Sequence, residues 1–367
     1  MKPEFSGTGC GVAPTFIESA DTNAQNGVCV FIAFMIVKSL VVIQPHIVSL
    51  FMKNSNQVGS ILRTAACFAL LTMNVFAADG TISPAVTNTA KKIVLIAGKK
   101  SHGPEGNRIH DYPWSVKLLK VLLEQSDVRE KVSVETYFDG WPKNEKPIED
   151  ADTVFILSDG RDGNLFSEAP HLENAERISF MERLMKRGCG FGVIHFSTFA
   201  PEVYRDQILR WSGGYFQWET DGERKWYSAI KVLDTELSLP SPRHAISRGV
   251  KPLRMKEEFY YNLRFSASDE SLSPLLAVPA LPGREPDGRC VAWAREREDG
   301  GRGFGTTCGH FYDNWKNDDF RRLVLNALVW SAHIEVPELG VESTYREHDE
   351  ISAHLSASVV PVGRAVK

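Results

Sequence analysis

Short apolar runs alternate with helix-like segments through the middle of this 367-residue chain, and that alternation constrains its fold more than any other feature. Residues 93–97, 153–157 and 190–195 are short, largely apolar stretches, which are typical of strands buried on both faces of a sheet. Between them, apolar residues recur at helical spacing behind Pro113 and again around Met181. Strands that alternate with helices in this way predict a parallel, doubly wound sheet with right-handed crossovers.

The second half of the chain has aromatic, β-rich segments in place of this regular alternation. They cover residues 226–233, 257–265, 275–280 and 290–295. A last apolar strand at 303–308 precedes a strong helix whose apolar face begins at Phe320. We expect this half to extend the same sheet. Residues 336–367 have little apolar periodicity and are predicted to form a C-terminal surface tail.

An export signal precedes the predicted fold. Lys53 and Arg63 lie in a basic leader, residues 65–76 are largely apolar, and Ala77 completes a V-x-A motif. These features predict a signal peptide over residues 52–77, with cleavage after Ala77. We therefore expect a periplasmic or secreted protein.

Two interpretations compete for residues 1–51, namely an over-extended start or a membrane-anchoring segment. The apolar patch there is short and interrupted by Lys38, whereas a spanning helix needs about 20 apolar residues, so we favour the first interpretation. Contact with a membrane is expected only through this N-terminal part. Residues 78–90 are predicted to be a linker, and the ordered domain is expected over residues 91–335.

Charge and cysteine content exclude several classes of protein. The 42 Lys and Arg residues against 46 Asp and Glu residues give a formal net charge of −4, which leaves no basic field for binding nucleic acid. Only Cys189, Cys290 and Cys308 of the six cysteines lie in the predicted domain, and none belongs to a C-x-x-C pair. We expect buried free thiols rather than a zinc–thiolate site.

Polar residues of the types used in catalysis and ligand binding follow the predicted strands. His102 and His110 lie in the loop after the first strand, Asp159 follows the strand at 153–157, and His195 and His310 each end a strand. Open α/β sheets bind ligands beyond the carboxyl ends of their strands, so these side chains are expected to converge.

Glu258 adds a carboxylate to this set, while its neighbour Glu257 is interpreted as a surface residue. We expect Tyr261, Asn314 and Trp315 to contact substrate together with His102, His110 and Asp159, since aromatic rings and amides suit a sugar.

The predicted pocket supports two kinds of chemistry. Imidazole titrates near neutral pH, so His195, His310 and Glu258 are our candidates for general acid/base catalysis. Imidazole and carboxylate groups also suit zinc or another divalent metal, and the sequence leaves the cofactor open.

Five stretches follow one another along the chain: residues 91–110, GCGFGVIHFST at 188–198, HAISRGV at 244–250, EEFYYNLRF at 257–265 and the segment at 301–332. Taken in that order, they resemble the trehalose-utilisation (ThuA-like) domain family. The resemblance implies an α/β, three-layer fold that is flavodoxin-like and similar to class I glutamine amidotransferases, with a mainly parallel central sheet and helices on both faces. It also implies a small-molecule carbohydrate ligand and a role in carbohydrate metabolism.

One position departs from the amidotransferase pattern. Those enzymes carry a nucleophilic cysteine at the sharp turn after a central strand, and here that turn holds His195, with Cys189 at the other end of the strand. Cysteine-dependent glutamine hydrolysis is therefore not expected.

Three hypotheses remain open from the sequence. The first is an exported enzyme or accessory protein of sugar catabolism that acts on a disaccharide or an oxidised sugar. The second is a noncatalytic sugar-binding or assembly module, and the third is a metal-dependent hydrolase. A homo-oligomer is compatible with each of them.

Overall fold

A seven-stranded, mainly parallel sheet lies at the centre of the fold, as the apolar runs predict. The computed structural model describes residues 90–160, 172–218, 227–265, 271–284 and 287–358, all of them within the compact unit Val86–Lys367. The predictions for residues 1–51 and for the signal peptide at 52–77 lie outside the described residues. So does the linker predicted at 78–90, apart from Ala90.

Eleven strands occur in the described ranges. They are β1 (Lys91–Ala97), β2 (Val132–Tyr137), β3 (Thr153–Leu157), β4 (Gly190–Ile194), β5 (Gly214–Tyr215), β6 (Ala229–Leu237), β7 (Leu253–Tyr261), β8 (Arg264–Phe265), β9 (Leu272–Ala277), β10 (Cys290–Glu296) and β11 (Arg302–Thr306). The predicted strand at 153–157 is confirmed to the residue.

The same ranges contain five α-helices. They are α1 (Tyr112–Glu124), α2 (Ala175–Lys186), α3 (Arg205–Ser212), α4 (Asp318–Ser331) and α5 (His348–Ser358). Helix α1 begins where Asp111 accepts a hydrogen bond from the backbone N–H of Trp114, and Pro113 occupies its first turn. None of the described helices is both long and apolar enough to span a bilayer.

The strand order of the central sheet is β2-β1-β3-β4-β11-β10-β9. Its first five strands, β2, β1, β3, β4 and β11, are parallel to one another. Strand β10 is antiparallel to both of its neighbours, β11 and β9. The carboxyl ends of β1, β3, β4 and β11 therefore lie along one edge, where the sequence predicted the site.

Alternating side chains of the buried strands face two separate apolar layers. Leu95 and Phe155 pack in a cluster with residues of α1 and α4, whereas Ile96 and Ile156 pack with residues of α2 and α3. The strands are apolar at consecutive positions because helices cover both faces of the sheet, which gives the predicted three layers.

Two predictions about the second half need correction. Strands β9 to β11 extend the central sheet, but β6 and β7 pair only with each other, and β5 and β8 form another two-stranded sheet. The segment that follows α4 is also more than the predicted surface tail. Val336, Val341 and Ile351 are buried, and α5 packs against α1.

Candidate metal centre

Three histidines and one glutamate meet at the carboxyl edge of the sheet. His110 precedes α1, His195 directly follows β4, and His310 lies in the loop after β11. Glu258 reaches the same place from β7, in the separate β6–β7 pair. These residues, His110, His195, His310 and Glu258, form the four-residue cluster.

Unusual backbone conformations hold part of this cluster. His110 has φ 44° and His195 has φ 57°, in the left-handed region that non-glycine residues rarely adopt. Gly309 has φ 133°, and a Cβ atom there would lie 3.2 Å from the Cβ of His195. Such residues cost about 1–3 kcal/mol each and concentrate at functional sites.

The ring nitrogens of the cluster lie very close together. His110 Nε2 is 2.9 Å from both His195 Nε2 and His310 Nδ1, and the last two atoms are 3.3 Å apart. Glu258 Oε2 lies 3.2 Å from His310 Nδ1 and 3.8 Å from His195 Nε2. Four potential ligand atoms thus surround one point.

Neighbouring groups determine which nitrogens carry hydrogen. His195 Nδ1 lies 2.7 Å from the carbonyl oxygen of Thr307, which only accepts, so the hydrogen of the neutral ring is on Nδ1. His110 Nδ1 lies 3.0 Å from Asp159 Oδ1, and the carboxylate favours the hydrogen on Nδ1 in the same way. Both Nε2 atoms consequently present lone pairs.

The Nε2 atoms of His110 and His195 are 2.9 Å apart, and their facing lone pairs repel unless a cation or a proton lies between them. Burial lowers the pKa of His110 to about 2 and lowers that of His195 well below its usual value, and the positive charge of neighbouring imidazoles lowers both further. Protonation near neutral pH is therefore an expensive way to relieve the contact. A metal cation relieves it directly.

The spacing of the nitrogens also fits a metal. With metal–nitrogen bonds of about 2.1 Å, ligand atoms at tetrahedral or right angles lie about 3.0–3.4 Å apart. The nitrogen–nitrogen distances of 2.9–3.3 Å lie close to that range. Imidazole with carboxylate suits zinc and other first-row transition ions.

The cluster opens to solvent on one side. His195 has no exposed surface, whereas the side chain of Glu258 is 22% exposed and His102 beside the cluster is exposed. Burial opposes the ionisation of Glu258, but the hydrogen bond to His310 lowers its pKa overall. Glu258 is thus an ionised carboxylate on the open side.

Hydroxyl groups form a shell around the cluster. Tyr260 OH lies 2.9 Å from His195 Nε2, and Ser101 and Tyr112 each donate to Asp159 Oδ1 at 2.8 Å. Burial raises the pKa of Tyr260 well above its usual value, so its phenol keeps its hydrogen. These contacts orient the ring of His110 and place a donor beside His195.

A second set of ligand atoms, from His102, His110 and Asp159, shares His110 with the cluster. The ring centroids of His102 and His110 are 3.9 Å apart, and Ser101 Oγ lies 2.9 Å from His102 Nδ1. Because Asp159 already orients His110, we interpret this set as support for the cluster rather than a separate site.

The prediction for Glu257 is wrong. Its side chain is fully buried, and its carboxylate accepts hydrogen bonds from the backbone N–H groups of Gly309 and His310 and from Asn314 Nδ2. Burial raises the pKa of Glu257 to about 7, against the opposing effect of these donors. Glu257 therefore positions the loop that carries His310.

Three residues predicted to contact substrate have structural partners of their own. Trp315 is 1% exposed and donates its indole N–H to Ser115, so it fills the core instead of forming a sugar-stacking wall. Asn314 is engaged with Glu257, and Tyr261 packs against the main core cluster. The structure places His102, His110 and Asp159 at or beside the four-residue cluster, and the catalytic roles of His195, His310 and Glu258 stay predictions.

Sequence reasoning missed Tyr260 and Tyr112, although a signal existed for each. Residues two apart in a strand share a face, which places Tyr260 beside Glu258 in β7. Tyr112 is two residues from His110 at the start of α1. Thr307 contributes through its backbone carbonyl, which no side-chain pattern reveals.

The buried free thiols that the sequence predicts are present in the described part of the chain. Cys189, Cys290 and Cys308 are buried free thiols, and burial raises the pKa of Cys189 and Cys290 to about 12. The position directly after β4, which carries a cysteine in class I amidotransferases, is His195.

Comparisons with known proteins agree with the resemblance. The profile of the ThuA family, described as trehalose utilisation, matches residues 101–331, a range that includes the whole four-residue cluster. No curated protein matches the chain significantly. A structure described as ThuA-like from Parabacteroides merdae is 14% identical with a TM-score of 0.49, covering 70% of this chain and 98% of that chain. One from Bacteroides uniformis is 12% identical with a TM-score of 0.48, covering 68% and 94%.

Proposed function

The chain belongs to the ThuA family, and we propose that it is a metal-dependent hydrolase that acts on a disaccharide or an oxidised derivative of one. His110, His195, His310 and Glu258 would hold the metal. The observation that carries this proposal is the pair of imidazole lone pairs, on His110 Nε2 and His195 Nε2, that face each other at 2.9 Å. The family description, trehalose utilisation, supports a carbohydrate as the substrate.

A divalent metal at this position would supply Lewis acidity and lower the pKa of a bound water. The residues of the site would orient the ligands and provide a hydrogen-bond donor. Thr307 and Asp159 fix the rings of His195 and His110, and the partly exposed Glu258 faces the side from which a sugar approaches. The phenol of Tyr260 is a hydrogen-bond donor beside the ligands.

The geometry favours this chemistry over direct acid/base catalysis by His195. A general acid or base must reach the proton that it transfers, yet His195 is fully buried, its Nδ1 is engaged with the Thr307 carbonyl, and its Nε2 faces His110 Nε2 inside the cluster. Two-carboxylate glycosidase chemistry is also disfavoured, because Asp159 accepts hydrogen bonds from Ser101 and Tyr112 and is not free to act.

The test incubates the purified protein with a panel of disaccharides and their oxidised derivatives. Chromatography measures the products that form. We expect one or more panel members to be cleaved, activity to disappear with a chelator, and a divalent metal to restore it. His195→Ala and His310→Ala should lose activity. The matched control His354→Ala should retain it, since His354 lies on α5 and pairs with Glu124. Undiminished activity after chelation, or in His195→Ala, would contradict the proposal.

We also propose that the protein is exported. The basic leader, apolar run and Ala77 of residues 52–77 support this location. Mass spectrometry of the mature protein from the producing cells should give an N-terminus at Ala78. A mature N-terminus upstream of Met52 would contradict it.

A further inference from the structure

A cavity lies beside the four-residue cluster, at the point where the strand order reverses. Its volume is about 430 Å³, within the range of about 300–1,000 Å³ for small-molecule sites. The chain runs from β1 outward to β2 and then returns past β1 to β3, so the reversal lies between β1 and β3. Open α/β sheets bind ligands in the crevice beyond the carboxyl ends at this point.

Residues that follow these strands line the cavity. Lys99 follows β1, Asp139 and Trp141 follow β2, and Asp159 follows β3. Asp139 has φ 64°, another left-handed conformation beyond a strand end. The cavity is therefore built by the same structural rule as the four-residue cluster.

Two lining residues connect the cavity to the cluster. Ser101 and Asp159 both line it, and both contact His110, with Ser101 Oγ 3.1 Å and Asp159 Oδ1 3.0 Å from His110 Nδ1. A ligand in the cavity would thus lie one side chain away from the proposed metal. This separation suits a substrate with two linked parts.

The charges of the cavity balance, which argues against an anionic ligand such as a phosphate. Glu173 and Arg177 form an ion pair at 3.1 Å, and Lys100 donates to two backbone carbonyls. Among the described residues, Lys99 and Asp139 have no side-chain partner, so one donor and one acceptor are left for a ligand. A neutral polyhydroxylated molecule uses both kinds of group.

An oriented aromatic ring completes the cavity. The indole N–H of Trp141 donates to Glu145 at 2.8 Å, and the ring of Phe180 meets the Trp141 ring edge to face at a centroid distance of 6.0 Å. Trp141 remains partly exposed. A fixed, partly exposed indole offers apolar surface to the C–H groups of a sugar at low entropic cost.

We infer that this cavity binds the non-reacting ring of a disaccharide, with Trp141 against the ring and Lys99 and Asp139 on its hydroxyl groups. The inference rests on the proposed function, since it places the bond to be cleaved at the four-residue cluster. It adds that recognition depends on a second, neutral sugar ring.

The experiment measures the affinity of the full mature protein, with its metal, for trehalose by titration calorimetry. Asp139→Asn and Trp141→Leu should each weaken trehalose binding by about tenfold. The matched controls are Asp206→Asn, an exposed carboxylate on α3, and Trp114→Leu, a partly buried indole stacked on His348. Both controls should bind trehalose like the wild type.

Metal content measured on the same samples separates the two proposals. Wild-type affinity in both Asp139→Asn and Trp141→Leu, or no trehalose binding by the wild type, would overturn the cavity proposal even if the metal is present. Asp139→Asn lies at the surface, so it tests the cavity even if Trp141→Leu fails to fold. Weakened binding in both variants of a protein that holds no metal would support the cavity and overturn the metal-dependent function.

Discussion

At the scale of single residues, Glu257 and Glu258 show how adjacent carboxylates acquire different roles. Successive residues of a strand point to opposite sides, so Glu258 faces the histidines while Glu257 is buried beneath the loop of His310. The sequence contains both residues but not the register of β7, so it does not reveal that Glu257 is the buried one.

Removing Glu257 should destabilise the fold, and changing Glu258 should not. Glu257→Ala leaves the buried N–H groups of Gly309 and His310 unpaired, which we expect to cost about 3 kcal/mol in the free energy of unfolding. Glu258→Gln should change stability by less than about 1 kcal/mol but weaken metal binding. Denaturant titration and metal titration measure the two effects, and an unchanged midpoint for Glu257→Ala would contradict the positioning role.

The buried imidazoles predict a pH dependence for the metal-free protein. The pKa of His195 is lowered in the folded state, so below pH 6.5 the unfolded chain takes up a proton that the folded chain does not. The stabilising contribution is present above that pH and is lost as the pH falls, with a slope of up to about 1.4 kcal/mol per pH unit for each such histidine. His110 acts in the same direction down to about pH 2.

Glu257 acts in the opposite direction between pH 4.5 and 7, because its pKa is raised to about 7 and the folded state binds the extra proton. Comparing His195→Gln with the wild type isolates the histidine effect. We expect a shallower loss of stability in acid for His195→Gln, measured by unfolding at several pH values. Identical slopes for the two proteins would contradict the buried neutral state of His195.

At the scale of elements, the buried strands could be predicted and the pairing of the others could not. Strands such as β3 are continuous apolar runs because helices cover both faces, and such runs are visible in the sequence. Strand β6 exposes one face, so its residue pattern does not indicate which strand it pairs with. Its pairing with β7 depends on tertiary contacts. Helix α5 was missed because its only fully buried residue is Ile351.

Helix α5 should nevertheless contribute to stability. Ile351→Ala removes a buried side chain from the core cluster, and we expect a loss of about 2–4 kcal/mol in the free energy of unfolding. Ser356→Ala, at an exposed position of the same helix, should change it by less than about 0.5 kcal/mol. Denaturant unfolding of both variants checks this prediction, and equal midpoints would show that α5 does not stabilise the domain.

At the scale of the whole molecule, the site exists because parallel strands end at one edge. That rule predicted the meeting of His102, His195 and His310 from strand ends far apart in sequence. It could not give the 2.9 Å approach of His110 to His195, which depends on two left-handed backbone conformations and on the partners Asp159 and Thr307. The fold was therefore more predictable than the chemistry of its site.

Because the four proposed ligands come from distant parts of the chain, metal binding should stabilise the whole domain. At a metal concentration about 100 times Kd, binding contributes about 2.7 kcal/mol, so chelation should lower the Tm by about 5–10 °C. Differential scanning fluorimetry measures the change. The double variant His195→Ala/His310→Ala should show no response to the chelator, and an equal response in this variant would place the metal elsewhere.

Elemental analysis of the purified protein tests the metal centre most directly, with the His195→Ala/His310→Ala double variant and the His354→Ala control prepared in parallel. We predict one divalent transition-metal ion per chain in the wild type and in His354→Ala, and almost none in the double variant. A wild type without stoichiometric metal after incubation with zinc, manganese and iron salts, or a double variant that retains it, would contradict a metal centre at His110, His195, His310 and Glu258.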